Sequence, residues 1–105
     1  ISPAVDIYET DNALTLVADL PGINKDRLEL GIDRNVITIE GRFAEAETGN
    51  QLYREFGSSG YYRRFQLPDN LDLNQSKAEL KDGVLTLTLP KAEAAKPRKI
   101  EVTVH

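Results

Sequence analysis

A chain of 105 residues with 40% hydrophobic content and no cysteine is sized for a single domain whose core can stand without disulfides, and it offers no thiolate nucleophile. Its formal net charge of −4, with both signs scattered along the sequence, argues against the concentrated cationic surface that nucleic-acid binding rests on, and no apolar run approaches the ~20 residues a membrane helix needs. The absence of Cys and of a signal-peptide pattern in "ISPAVDIYET" makes the cytoplasm the expected compartment, and the missing initiator Met is expected to mark a processed chain or a fragment.

In chain order, "VDIYE" (5–9) and "ALTLVADL" (13–20) alternate apolar and polar residues with the two-residue period of half-buried strands. Pro21-Gly22 then suits a type II turn, because Pro presets φ near −65° and Gly accepts the positive φ that follows. "RLELGID" (27–33) and "NVITIEG" (35–41) read as two more strands. "FAEAETGN" (43–50) is polar and ends towards Gly, and with the strand-like "QLYREF" (51–56) it makes a long excursion between core strands, a kind of segment that is often functional. "YYRRFQL" (61–67), "SKAELK" (76–81) and "GVLTLTL" (83–89) complete a set of eight short strands, the last two joined by the two-residue hairpin signal Asp82-Gly83.

"KAEAAK" (91–96) favours helix by composition but spans only about one and a half turns, and Pro97 stops it; it reads as a semi-flexible linker. One more alternation follows, with Ile100, Val102 and Val104 on one parity and Glu101 and Thr103 on the other. Short alternating strands, regular turns and little helix predict an antiparallel β-sandwich. Its inward side chains are expected to be Leu14, Leu16, Ala18 and Leu20; Leu28, Leu30 and Ile32; Ile37 and Ile39; Phe65 and Leu67; Leu85, Leu87 and Leu89.

Catalytic chemistry finds little footing. The single histidine is the terminal residue, His105, where chains fray, and one imidazole without thiolates cannot make a zinc site. Asp69 with Asp72, or Glu45 with Glu47, could form an acid–base pair, but both lie in polar loops where solvated carboxylates are the simpler reading. "DLPG" has too few glycines for a phosphate loop and no Lys-Ser/Thr after it. No enzyme, cofactor or metal is expected. Binding through strand edges remains, and "QLYREF" and "KIEVTV" are the segments suited to use them.

Four blocks, "VADLPGI" (17–23), "NVITIEGR" (35–42), "FQLPDNLD" (65–72) and "AELKDGVLTLTLPK" (78–91), together resemble the α-crystallin domain of small heat-shock proteins, in order and over about residues 5–102. The resemblance implies an immunoglobulin-like sandwich over residues 1–91, with an exchanged strand in the loop 42–60, and a C-terminal extension over 92–105. It implies that Ile100 and Val102 form the family's Ile-x-Ile/Val element, which docks by strand addition into a groove of Leu28, Leu30, Ile32, Ala78 and Leu80. Those groove residues could instead be plain core, and the groove could belong to the same chain or to a neighbour. The resemblance further implies a homodimer in which the loop strand, with Leu52, Tyr53, Glu55 and Phe56, pairs with Val5 and Ile7 of the partner. Arg63 matches a family arginine near that contact, either paired with a carboxylate such as Glu55 or solvated. This chain departs from the family pattern in "REFGSSGYYRRF" (54–65), which leaves the ion pairing of that contact open.

The implied function is an ATP-independent holdase: a chaperone that captures unfolding client proteins on apolar surface stored in its own oligomer contacts, with no role for nucleic acid or membrane. Most of the family's N-terminal arm is expected to be missing, favouring dimers over large cages. The alternative is a co-chaperone-type β-sandwich that binds a folded partner without oligomerising, a reading that has no use for an Ile-x-Val tail. A carbohydrate-binding or hydrolytic sandwich would want aromatic platforms, and the chain has no Trp and four Tyr.

Overall fold

The computed structural model describes residues 1–44 and 59–104. Among them are seven strands: β1 (Ala4–Glu9), β2 (Ala13–Asp19), β3 (Leu28–Asp33), β4 (Val36–Arg42), β5 (Gly60–Gln66), β6 (Lys77–Lys81) and β7 (Val84–Pro90). They form two antiparallel sheets, β1-β2-β7-β6 and β3-β4-β5. Each strand follows an alternating segment of the sequence to within one or two residues, and "QLYREF" lies outside the described residues.

Register turns the alternation into a core. Leu16 pairs with Leu87 and Ala18 with Leu85, while Ile39 sits between Leu30 and Arg63, so each row presents its apolar residues to the facing sheet. Leu16, Leu20, Ile37, Ile39, Leu85 and Leu89 are fully buried, each contributing roughly 1.5–3 kcal/mol relative to exposure. Three further residues join this core that the expected inward sets omit: Ile23, Phe43 and Tyr61. Phe43, assigned by sequence to the polar excursion, continues the inward parity of Ile37 and Ile39 through Gly41. It packs edge-on against Tyr61, with centroids 5.2 Å apart, and the Tyr61 hydroxyl donates to the Pro21 carbonyl at 3.2 Å. Gly41 makes room for Ile23, since a Cβ there would lie 3.1 Å from Ile23 Cγ1.

The Pro21-Gly22 turn forms as expected, with Gly22 at φ 83° and the Ile23 N–H donating to the Leu20 carbonyl at 3.1 Å. At the β6–β7 hairpin both Asp82 (φ 51°) and Gly83 (φ 77°) are left-handed, the primed geometry that matches strand twist. A second such turn, Arg34 (φ 50°) and Asn35 (φ 63°), joins β3 to β4 where sequence placed Asn35 inside a strand. Asn tolerates this region and Arg ordinarily does not; the Leu67 N–H and the Gln66 side chain donate to the Asn35 carbonyl at 2.6 and 3.3 Å and hold the turn in place.

The C-terminal segment departs from the linker reading in its first residues. "KAEAAK" is fixed at its start: Lys91 bridges Leu71, the Ala92 N–H donates to the Asn70 carbonyl at 2.9 Å, and Lys91 Nζ lies 3.0 Å from Glu9 Oε1. A 3-10 turn follows at Glu93–Ala95. The alternating tail then forms no strand within the chain, because alternation sets side-chain parity but a strand exists only where a partner takes its backbone N–H and C=O groups.

Candidate functional site

Among the described residues no group of three or more His, Cys, Asp or Glu is placed to hold a metal ion, and no helix is long and apolar enough to cross a membrane. What the sandwich offers is edges, and their arrangement follows from how the chain begins. The Tyr62 N–H donates to the Ile1 carbonyl at 2.9 Å, and the N-terminal ammonium donates to the Gly60 carbonyl at 3.1 Å. Residues leading into β1 therefore lie beside β5, so the β1 and β5 edges share one flank and the β3 and β6 edges share the other.

Arg63 helps close the first flank. Its position points inward between Tyr61 and Phe65, opposite Ile39, where a guanidinium cannot stay unsatisfied. It is half-buried, donates to Ser2 Oγ and to the Pro3 carbonyl, both at 3.4 Å, and lies 4.6 Å from the centroid of the Phe65 ring. Ser2 and Pro3 were not read as site residues from the sequence; the signal available was Arg63 itself, a charge at an inward parity position.

β1 pairs with β2 along one edge, and among the described residues its other edge carries no ladder. Val5 packs on the core, whereas Ile7, on the same inner face, is 50% exposed, because three strands cannot cover all of a four-stranded sheet. Leu52, Tyr53, Glu55 and Phe56 lie outside the described residues, and so does any pairing of theirs with β1 or Arg63. The neck of their loop is described: the Phe43 N–H donates to the Ser59 carbonyl at 2.8 Å, extending the β4–β5 pairing one step past Arg42 and Gly60.

On the second flank stand the five residues assigned to a groove. Leu28, Leu30 and Leu80 are half-buried against the core, Ile32 is 40% exposed, and Ala78 is exposed. The structure brings them to the same side of the sandwich on the two edge strands β3 and β6, and none is fully buried. Ile100, Val102 and Val104 are 84%, 81% and 87% exposed, an apolar row of one parity that nothing among the described residues covers. Before them, Lys96 Nζ donates to Glu93 Oε1 at 2.8 Å; this hydrogen bond, then the attraction of the charge, holds the Glu93 carboxyl below the usual carboxylate range.

Comparison with known proteins agrees with the sandwich fold. The model of the Hsp20/alpha crystallin family matches residues 6–103. Small heat shock protein C2 of Rickettsia felis is 39% identical over 103 residues, covering 95% of this chain and 67% of its own length. The 18.1 kDa class I heat shock protein of Medicago sativa is 42% identical over 109 residues, covering 98% and 76%; a second R. felis protein, C4, is covered over 65% of its length. The chain thus spans about two thirds to three quarters of these relatives. Among solved structures, a small heat-shock protein from Xylella fastidiosa superposes with a TM-score of 0.73 at 34% identity over 99% of this chain and 98% of its own. Heat shock protein 16.0 from Schizosaccharomyces pombe gives 0.75 at 27% identity over 100% and 99%.

Proposed function

The chain belongs to the Hsp20/alpha crystallin family, and on that premise we propose that it is an ATP-independent holdase that captures unfolding proteins and keeps them from aggregating. The observation that carries this reading is a family match spanning residues 6–103 on a sandwich whose apolar tail row is open to solvent. The task needs apolar surface that can be covered and uncovered, and strand edges with partly exposed Leu and Ile supply it.

In this reading the two flanks divide the work. The free edge of β1 takes the loop strand of a partner, giving a homodimer by exchange of a segment within 42–60. The β3/β6 flank takes the tail of another subunit, with Ile100 and Val102 as knobs beside Leu28, Leu30, Ile32, Ala78 and Leu80, giving a higher homo-oligomer; backbone hydrogen bonds supply affinity and the two knobs supply register. Residues 1–91 serve as the domain and 92–105 as the extension. A chain without Cys suits a reducing cytoplasm. The high-order structure described for the Xylella fastidiosa relative supports assembly as the storage form.

The test is light scattering from a thermolabile client heated with this chain and without ATP, beside sedimentation of the same sample. Suppressed aggregation, with client and chaperone co-sedimenting in a soluble complex, is the expected result. Scattering equal to that with an inert protein of similar size would overturn the reading.

A further inference from the structure

We infer that the outer face of the β3-β4-β5 sheet is a contact between copies of this chain: a second copy stacks on it face to face, about a two-fold axis lying across the strands. This contact is separate from the loop and tail contacts proposed above. The residues of the face alternate with the inward ones, and their charges fall into bands. Register sets Arg42 beside Gly60, then Glu29 beside Glu40 and Tyr62, then Gly31 beside Thr38 and Arg64, then Asp33 beside Val36 and Gln66. Along the strands the bands read positive, negative, positive, negative, at a spacing of roughly 6.6–6.8 Å. Glu29, Asp33, Arg42, Tyr62 and Arg64 are exposed. These charges do not neutralise one another within the sheet. The ion pairs among the described residues are Lys91–Glu9 and Lys96–Glu93, and Glu29 stands directly opposite Glu40, a like-charge pair that costs stability until a cation approaches.

A banded face of this order is complementary to itself. Turning a second copy over about an axis midway between the glutamate band and the Arg64 band reverses the order of its bands. Each band then faces one of opposite sign: the glutamates face the Arg64 band, and the Asp33 band faces the Arg42 band. β5 lies over β5, which brings the Arg64 guanidinium to the ring of the second copy's Tyr62, a cation–π pair. β3 lies over β3, which brings Glu29 above the second copy's Gly31, where a Cβ would meet nothing within 4 Å and a side chain has room. Two shallow hollows, one towards Glu29 and Glu40 and one towards Arg64, meet at Gly31 and Thr38 and can take the opposing side chains. Other stackings set like charges together. An axis along the strands lays each band on itself, and moving the crossing axis onto the Arg64 band lays the glutamates on Asp33, so the pattern fixes both direction and register. The face is three strands wide and has little apolar surface, so the contact is weak and salt-dependent. In dilute solution it does not hold two copies by itself, and it gains strength where other contacts gather many copies.

Sedimentation velocity of the full chain over rising concentration, at low and high salt, tests this with charge-reversed variants. Glu29→Lys with Glu40→Lys makes the two central bands positive, and Arg64→Glu makes both negative. Each variant alone should associate roughly fivefold more weakly than the unaltered chain at low salt, and alike at high salt. An equimolar mixture of the two should recover the loss, because each then meets its opposite; recovery also shows that neither variant has lost its fold. The chain has no Cys, so single cysteines report the register. A short bismaleimide should join Thr38→Cys chains, whose two copies lie one band apart, in preference to Gln66→Cys chains, whose copies lie three bands apart. Variants that associate like the unaltered chain, or a mixture that recovers nothing, would overturn this contact and leave the loop, the tail and the holdase reading standing. If Arg64→Glu changes client capture and not self-association, the face takes client protein and the second-copy assignment is wrong.

Discussion

Gly83 concentrates much of the folding logic in one residue. Its φ of 77° closes the β6–β7 hairpin, its carbonyl accepts from the Leu20 N–H at 2.6 Å, and a Cβ there would sit 3.2 Å from the Leu20 carbonyl oxygen and from Pro21 Cα. The hairpin turn is thus wedged against the turn that follows β2. Gly83→Val forces a β-branched residue into left-handed backbone against fixed atoms, and should cost about 1–3 kcal/mol or more. At ~4–8 °C per kcal/mol for a domain of this size, a thermal melt reads that directly; an unchanged melting temperature would contradict the turn. Both glycine turns were legible in the sequence because glycine is the cheap occupant of positive φ. The Arg34-Asn35 turn was not, since arginine rarely marks that conformation and the bonds that hold it come from Leu67 and Gln66, over thirty residues away.

At the scale of elements, parity was the readable quantity and pairing was not. The alternation in β2, β4 and β7 named their buried faces correctly, and carrying the Ile37–Ile39 parity two steps further would have found Phe43. Periodicity gives no account of which edges lie together, because that depends on how the layers stack. The joining of the β1 and β5 edges rests on the backbone of Ile1 beside Tyr62, to which no motif points. The Phe43–Ser59 hydrogen bond at 2.8 Å leads to a prediction: residues 45–58 can be replaced by a short Gly-Ser link without disturbing β4 or β5. The shortened protein should keep its melting temperature within a few degrees and sediment as a monomer. A dimer that survives the replacement would rule out strand exchange through the loop.

For the molecule as a whole, the tail and the domain should be separable in energy. Residues 97–104 are exposed and nothing among the described residues covers their apolar side chains, so truncation after Lys96 removes little that the domain uses. The melting temperature should shift by no more than about 1 °C per few tenths of a kcal/mol lost, while the sedimentation coefficient falls to that of the dimer. A large loss of thermal stability would mean that the tail packs on its own domain. Sequence showed the alternation of the tail but could not show that it forms no strand here, because parity does not say which backbone, if any, takes its N–H and C=O groups. The closed neck of the 45–58 loop has a topological consequence as well. The Phe43–Ser59 hydrogen bond sets side by side, at one end of the β4–β5 ladder, the two points between which that segment runs. In the strand exchange proposed above, a segment with both ends anchored side by side engages a neighbour without either chain end passing through it, so partners would trade at the rate of edge unpairing and not at the far slower rate of opening the core.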